Sequence, residues 1–197
     1  MTYVDTVADD AVAGRAAELF AKYRAELGYV PNYLHLFASR PGVYDGWRNL
    51  LGTIKEELEP RRYLLATLAA AQALRSTYCA VENGAMLREN YGDAEAVRRI
   101  ASDRTDADLS AVDLAVMDFA AHVARDAPSI QPVDIERLRQ RGLTDDEIFD
   151  VALAAAVRCF FSTILHAMGV GPDQERLAQL EPPLRAALIA VRGSVRC

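Results

Sequence analysis

Cysteines, histidines and long apolar runs are all scarce in this chain. Cys79, Cys159 and Cys197 are spread through 197 residues. A chain of that length can bury a core without staples, so no disulfide framework is expected, and any cysteine chemistry would be local. The three histidines, His35, His122 and His166, include no pair at metal-ligand spacing, and no glycine-rich phosphate loop or nucleotide fingerprint is present. Neither metal nor cofactor is expected. The apolar stretches, such as Val151 to Val157, are short of the roughly 20 residues that a membrane helix needs. The opening Met1-Thr2-Tyr3-Val4-Asp5-Thr6 has neither the basic nor the apolar region of a secretory signal. Net charge is -6, with basic residues interspersed among acidic ones, which argues against nucleic acid as partner. The composition points to a cytoplasmic protein that acts on small molecules, away from membranes.

Helical periodicity is what the sequence does have, and no segment alternates as a strand would. The expected fold class is all-α. The spacing predicts a first helix from about Asp10 to Leu27, stopped by Gly28, then a short one from Tyr33 to Ala38. Pro41 and Pro60 are placed to open the next two, the second an alanine-rich helix to Leu74 that is apolar all round and therefore buried. Further helices are expected over Asp93 to Ile100, from a Ser110 N-cap through Arg125, and over Val133 to Arg141. The Thr144 to Glu147 capping box opens a long buried helix to Met168. A shift of about 85 positions lays Leu68-Ala69-Ala70-Ala71 on Leu153-Ala154-Ala155-Ala156, the pattern of two similar helical halves. One domain is expected over 1–180, followed by a C-terminal extension over 181–197.

Chemistry concentrates in Arg75-Ser76-Thr77-Tyr78-Cys79-Ala80-Val81-Glu82-Asn83. If Ser76 or Thr77 caps a new helix, Cys79 falls in its first turn, where free backbone N–H groups favour a thiolate. Arg75 would add positive charge there and Glu82 would oppose ionisation. The alternative is one continuous helix with Cys79 as a small buried apolar residue. His166 is the histidine best placed to serve the segment, if the two halves pack together. Cys159 is expected in the core and Cys197 on an exposed basic tail.

Five motifs, in this order along the chain, carry a family resemblance. They are Leu27-Gly28-Tyr29-Val30-Pro31-Asn32-Tyr33, Leu58-Glu59-Pro60-Arg61, Tyr78-Cys79, Gly142-Leu143-Thr144-Asp145-Asp146-Glu147-Ile148 and Leu165-His166-Ala167-Met168-Gly169-Val170. Through them the chain resembles the carboxymuconolactone decarboxylase and alkylhydroperoxidase D superfamily, in its peroxidase-related branch. The resemblance implies an all-helical fold assembled as a homo-oligomer, a dimer, trimer or hexamer. Active peroxidase members have a glutamate, a Cys-x-x-Cys pair and a histidine. On this sequence those positions are Leu64, Ser76 with Cys79, and Asn83, so the attacking thiol is kept while resolving thiol, base and relay are replaced. The decarboxylase branch would need a glutamate at the position of Cys79; Glu82 does not coincide with it and, at 100° per residue, is placed elsewhere on the helix. The expectation is a divergent oxidoreductase acting on a small-molecule substrate. Cys79, Ser76, Asn83 and His166 are the candidate catalytic residues, with Tyr78 and Glu82 as substrate-binding ones. A repurposed metabolic enzyme and a non-catalytic oligomeric relative are the alternatives.

Overall fold

The computed structural model describes residues 2–105 and 107–190. Among them are eleven α-helices, one 3-10 turn and no strand. Helix α1 spans Gly14–Leu27, α2 Asn32–Phe37, α3 Pro41–Glu57, α4 Pro60–Ala73 and α5 Thr77–Asn90. Next come α6, Ala94–Ser102, and α7, Ala111–Asp126, then α8, Pro132–Gln140, after a 3-10 turn at Ala127–Ser129. The last three are α9, Asp145–Ala167, α10, Gln174–Ala178, and α11, Pro182–Ile189.

Local chemistry sets most of these limits. Gly28 ends α1 in the left-handed region at φ 82°, its N–H donating to the Arg24 carbonyl. Proline stands in the first turn of α3 and of α4, and the Glu59 carboxylate caps α4 by accepting from the N–H groups of Arg61 and Arg62. Ser110 caps α7 by accepting from the Asp113 N–H, and Thr144 with Glu147 closes the predicted box on α9. The expected start of α1 at Asp10 is corrected to Gly14, because the chain turns first, with the Ala11 N–H donating to the Ala8 carbonyl. Helix α10 has no counterpart in the sequence reading.

Helix α4 is the centre of the molecule. Its residues from Tyr63 through Ala71 are all buried, packed against α5, α7 and α9. Burying a side chain such as Leu65 or Leu68 contributes roughly 1.5–3 kcal/mol each. Helix α9 packs beside α3, α4 and α7. At 23 residues it is long and apolar enough, by length and composition, to cross a membrane. That corrects the sequence reading, which counted only its unbroken apolar run; half of its most apolar window is buried among other helices. Residues 181–190 contribute α11, whose Leu184 and Leu188 are buried against the same core. A Cβ at Gly84 would lie 2.5 Å from Leu188 Cδ2, so the absence of a side chain there is what lets α11 close on α5.

The break between α4 and α5 is the feature that builds the site. Leu74 leaves α4, Arg75 adopts φ 56°, and Ser76 stands in extended backbone at the N-cap of α5. Where α4 stops, α9 continues through the equivalent positions 159–161, so the two apolar halves differ at the place that carries the cysteine.

Candidate functional site

Cys79 is the third residue of α5 and therefore lies in a first turn, which excludes the continuous-helix alternative. Its side chain faces α9. Ser162 Oγ donates to Cys79 Sγ at 3.2 Å, and Arg158 Nη1 lies 3.7 Å from the same sulfur. Both partners are buried. The sulfur borders a cavity of 140 Å³ bounded by α3, α5 and α9, with Tyr33 and Tyr63 completing the wall.

From α5 come Tyr78, Cys79, Glu82, Asn83 and Met86. Three residues on a helix amount to 300°, which leaves Glu82 only 60° from Cys79, with Asn83 and Met86 on the same face. Glu82 is therefore a neighbour of the thiol in the cavity wall, correcting the expectation that rotation takes it elsewhere. Burial, reinforced by Asp173 and Glu89, pushes its carboxyl up to about 7, against the opposing pull of Arg176 and Arg158. Burial is the larger cause even though 31% of its side-chain surface stays exposed. Arg176 Nε is 3.5 Å from Glu82 Oε2.

Helix α3 presents Trp47, Arg48, Leu51 and Lys55 to the cavity, and α9 presents Arg158 and Phe161. Trp47 and Phe161 stack with ring centroids 4.1 Å apart, and Phe37 stacks behind Phe161 at 5.8 Å. Lys55 lies over the Tyr63 ring at 5.1 Å. Its ammonium is held below its ordinary range by burial first and then by Arg48 and Arg158, which places the three cations within one another's field. Burial also acts against the Arg158 charge, but Cys79 and Tyr63 beside it more than compensate. Burial likewise raises the Tyr63 phenol, with Arg158 opposing. No hydrogen bond to the Tyr63 hydroxyl or to Arg158 Nε is made among the described residues.

The remaining candidates divide. Asn83 lines the cavity, but its amide is engaged: Nδ2 donates to the Cys79 carbonyl at 2.7 Å and Oδ1 accepts from Thr67 Oγ1 at 2.9 Å. It fastens the first turn of α5 to α4. Tyr78 also lines the cavity, and its hydroxyl donates to Asp173, a carboxylate with 2% of its surface exposed that also accepts from the Asn32 N–H at 2.7 Å. Burial raises the Asp173 pKa, while Tyr78 and Asn32 pull the other way. Ser76 is fully buried at the N-cap and borders no part of the cavity. His166, in the last turn of α9, is half-buried and also outside the lining. Arg75 is exposed and does not reach the site. Cys159 is half-buried, correcting the expectation of a core position, since Phe160 beside it faces outward. Cys197 and the basic tail lie outside the described residues.

Arg158, Ser162 and Asp173 are contributors that sequence reasoning missed. Arg158 had a signal: it is the only charge between Val151 and Leu165, and a cation in a buried apolar helix requires a reason. Asp173 had none beyond following Gly171-Pro172. Among the described residues no three of His, Cys, Asp or Glu gather as a metal ion would require.

No protein-family model and no curated protein matches this sequence. Solved structures do. A structure described as the alkylhydroperoxidase AhpD core, an uncharacterized peroxidase-related protein from Ralstonia eutropha, superposes with a TM-score of 0.79 at 22% identity, covering 89% of this chain and 94% of that one. A peroxidase-related protein from Silicibacter gives 0.79 at 23% identity over 89% and 93%. The debrominase Bmp8, as a cysteine-to-alanine variant in complex with 2,3,4-tribromopyrrole, gives 0.73 at 15% identity over 97% and 100%. The chain has the all-α fold of the alkylhydroperoxidase AhpD core and its peroxidase-related proteins.

Proposed function

We propose that the protein is a single-cysteine oxidoreductase that reduces a hydroperoxide at Cys79, with Glu82 as proton carrier and an external thiol as reductant. The observation that carries this reading is the meeting, in one cavity, of the Cys79 sulfur, the Arg158 guanidinium and a carboxyl poised near neutrality. A guanidinium and a hydroxyl donor stand at the sulfur, within 3.7 and 3.2 Å of it. A carboxyl titrating at about 7 can both give and take a proton at ordinary pH.

The steps balance as follows. With the thiol proton held on Glu82, the Cys79 sulfur attacks the terminal peroxide oxygen. An S–O bond forms, the O–O bond breaks, and the departing alkoxide takes the proton from Glu82 to leave as an alcohol. Cys79 is then a sulfenic acid. An external thiol attacks its sulfur, forming a mixed disulfide and releasing water; a second thiol frees Cys79 and leaves as a symmetric disulfide. Glu82 takes the thiol proton again. Ser76 cannot resolve the sulfenic acid because it carries no sulfur, and Asn83 is no base; the outside thiol and Glu82 replace them. Cys79 has 0% of its surface exposed, so the cavity wall must open slightly for the attack. Met86, unbranched and half-buried, is an apolar wall residue with the freedom to do so.

The test is turnover of hydrogen peroxide and of an organic hydroperoxide with a small thiol as reductant. Loss of turnover in Cys79→Ser and in Glu82→Gln supports the reading, and unchanged turnover in Cys79→Ser refutes it. A second reading has one observation behind it: the aromatic wall of Trp47, Phe161, Tyr33 and Tyr63 suits a flat ring, and one structural neighbour is a debrominase. Thiol-dependent bromide release from a brominated pyrrole, without peroxide turnover, would favour that reading over the first.

A further inference from the structure

Arg158 is a buried cation that forms no ion pair with an acid among the described residues, although the Glu82 carboxyl feels its charge. With 7% of its surface exposed it sits in an otherwise apolar stretch of α9, where an uncompensated charge costs several kcal/mol. Its contact with Cys79, at 3.7 Å, uses one of five N–H donors, and Tyr63 is its other polar neighbour in the wall. Nε is buried and meets no acceptor among the described residues. Buried unsatisfied donors of this kind point to a ligand or water that completes them.

Arg48 and Lys55 stand on the outer side of the same cavity, both exposed, and neither forms an ion pair with an acid among the described residues. Three cations therefore face 140 Å³, a volume of about five waters. The one acid in the wall, Glu82, already neighbours Arg176. Charge at the mouth draws an anion in and charge at the floor holds it. The walls decide what kind of anion. Trp47, Phe161 and Tyr63 offer apolar surface, which favours a carbon skeleton over a strongly hydrated inorganic ion.

We propose that the substrate is a small organic carboxylate, its anionic group docked on Arg158 between Arg48 and Lys55, so that the reacting group is presented to Cys79. This names the substrate class for the reading above and rests on it. Binding itself needs no sulfur chemistry, however, and is measurable without it.

Trp47 is the single tryptophan of the chain and lines the cavity, so its fluorescence reports occupancy directly. The experiment titrates propionate, its neutral analogue propionamide, and inorganic phosphate into wild-type and Cys79→Ala protein at constant ionic strength. The expected result is a saturable change with propionate, at least about tenfold weaker binding of propionamide and of phosphate, and a similar loss in Arg158→Gln. Arg158→Lys should recover part of it. Arg48→Gln and Lys55→Gln, both at exposed positions, keep the question open to test if Arg158→Gln fails to fold; each should weaken propionate several-fold and leave propionamide unaffected. Equal binding of propionate and propionamide, or no binding of either, overturns the proposal, and phosphate binding as tightly as propionate overturns its organic part. Saturable propionate binding in a protein without peroxide turnover would sink the thiol reading alone, whereas peroxide turnover without propionate binding would sink only the substrate class.

Discussion

Glu82 shows how position and environment make one carboxyl different from the others on the surface. A fold that holds it at about 7, against an ordinary 4.5, takes up a proton that the unfolded chain has released between those values. The protonated form is the one the fold favours. Glu82 therefore leaves stability untouched below its ordinary value, and stability falls as pH rises through the window up to the raised one. Glu82→Gln should abolish that decline, so that its melting temperature exceeds wild type near pH 8 and approaches it near pH 5. Thermal melts at the two pH values check this, and a wild-type decline that persists in the variant would contradict it. At this scale the sequence was partly legible. Cys79, which the resemblance puts at the attacking position, was singled out from its neighbours in the chain, and it borders the cavity. Arg158, 79 residues on, and Asp173 were not, because only packing of α9 and of the segment after it against α5 brings them to the site.

Helix limits were the most legible feature, because the signals that set them are local. Proline at Pro41 and Pro60, the Ser110 cap and the Thr144 to Glu147 box act within a turn of themselves, and each appears where its chemistry places it. The start of α1 was misplaced for a related reason: Asp10 resembles a helix start, but the turn around it comes before the helix. The break after α4 rests on Arg75, the non-glycine residue with positive φ among those described. A left-handed non-glycine residue carries roughly 1–2 kcal/mol of strain, and Arg75 is exposed, with no contact in the cavity to compensate. Arg75→Gly should relieve part of that strain and stabilise the protein by about 1 kcal/mol, net of the greater freedom of glycine in the unfolded chain. Denaturant unfolding measures it; a loss of stability would show that the Arg75 side chain contributes to the turn.

At the scale of the whole molecule, an apolar groove is left uncovered among the described residues. Val43 and Leu50 on α3 and Phe160 on α9 are exposed and line a groove of 440 Å³ with Gly46, Leu153 and Ala156. The same pair of helices supplies the other side of Trp47 and Arg158 to the cavity at Cys79. We infer that the self-association implied by the family resemblance uses this groove. Sedimentation of wild type should show a species larger than one chain, and Leu50→Glu should reduce it to the single chain with the helical content unchanged; a wild type that sediments as one chain, or an unaffected variant, would contradict this. The fold class was readable from periodicity alone, since a chain rich in 3.6-residue patterning and without alternating strands has little choice but to pack helices. The cavity was not, since its lining is drawn from five helices and no local pattern records which faces they share.

The central claim is that Cys79 is the atom that takes oxygen from the substrate. Its most direct test is mass spectrometry of the protein after brief exposure to equimolar hydroperoxide, in the presence of a sulfenic-acid trapping reagent. The account predicts one trapped oxygen per chain at Cys79, slowed in Glu82→Gln and in Arg158→Gln and absent in Cys79→Ser. Label at Cys159 or Cys197 with Cys79 unmodified would contradict it.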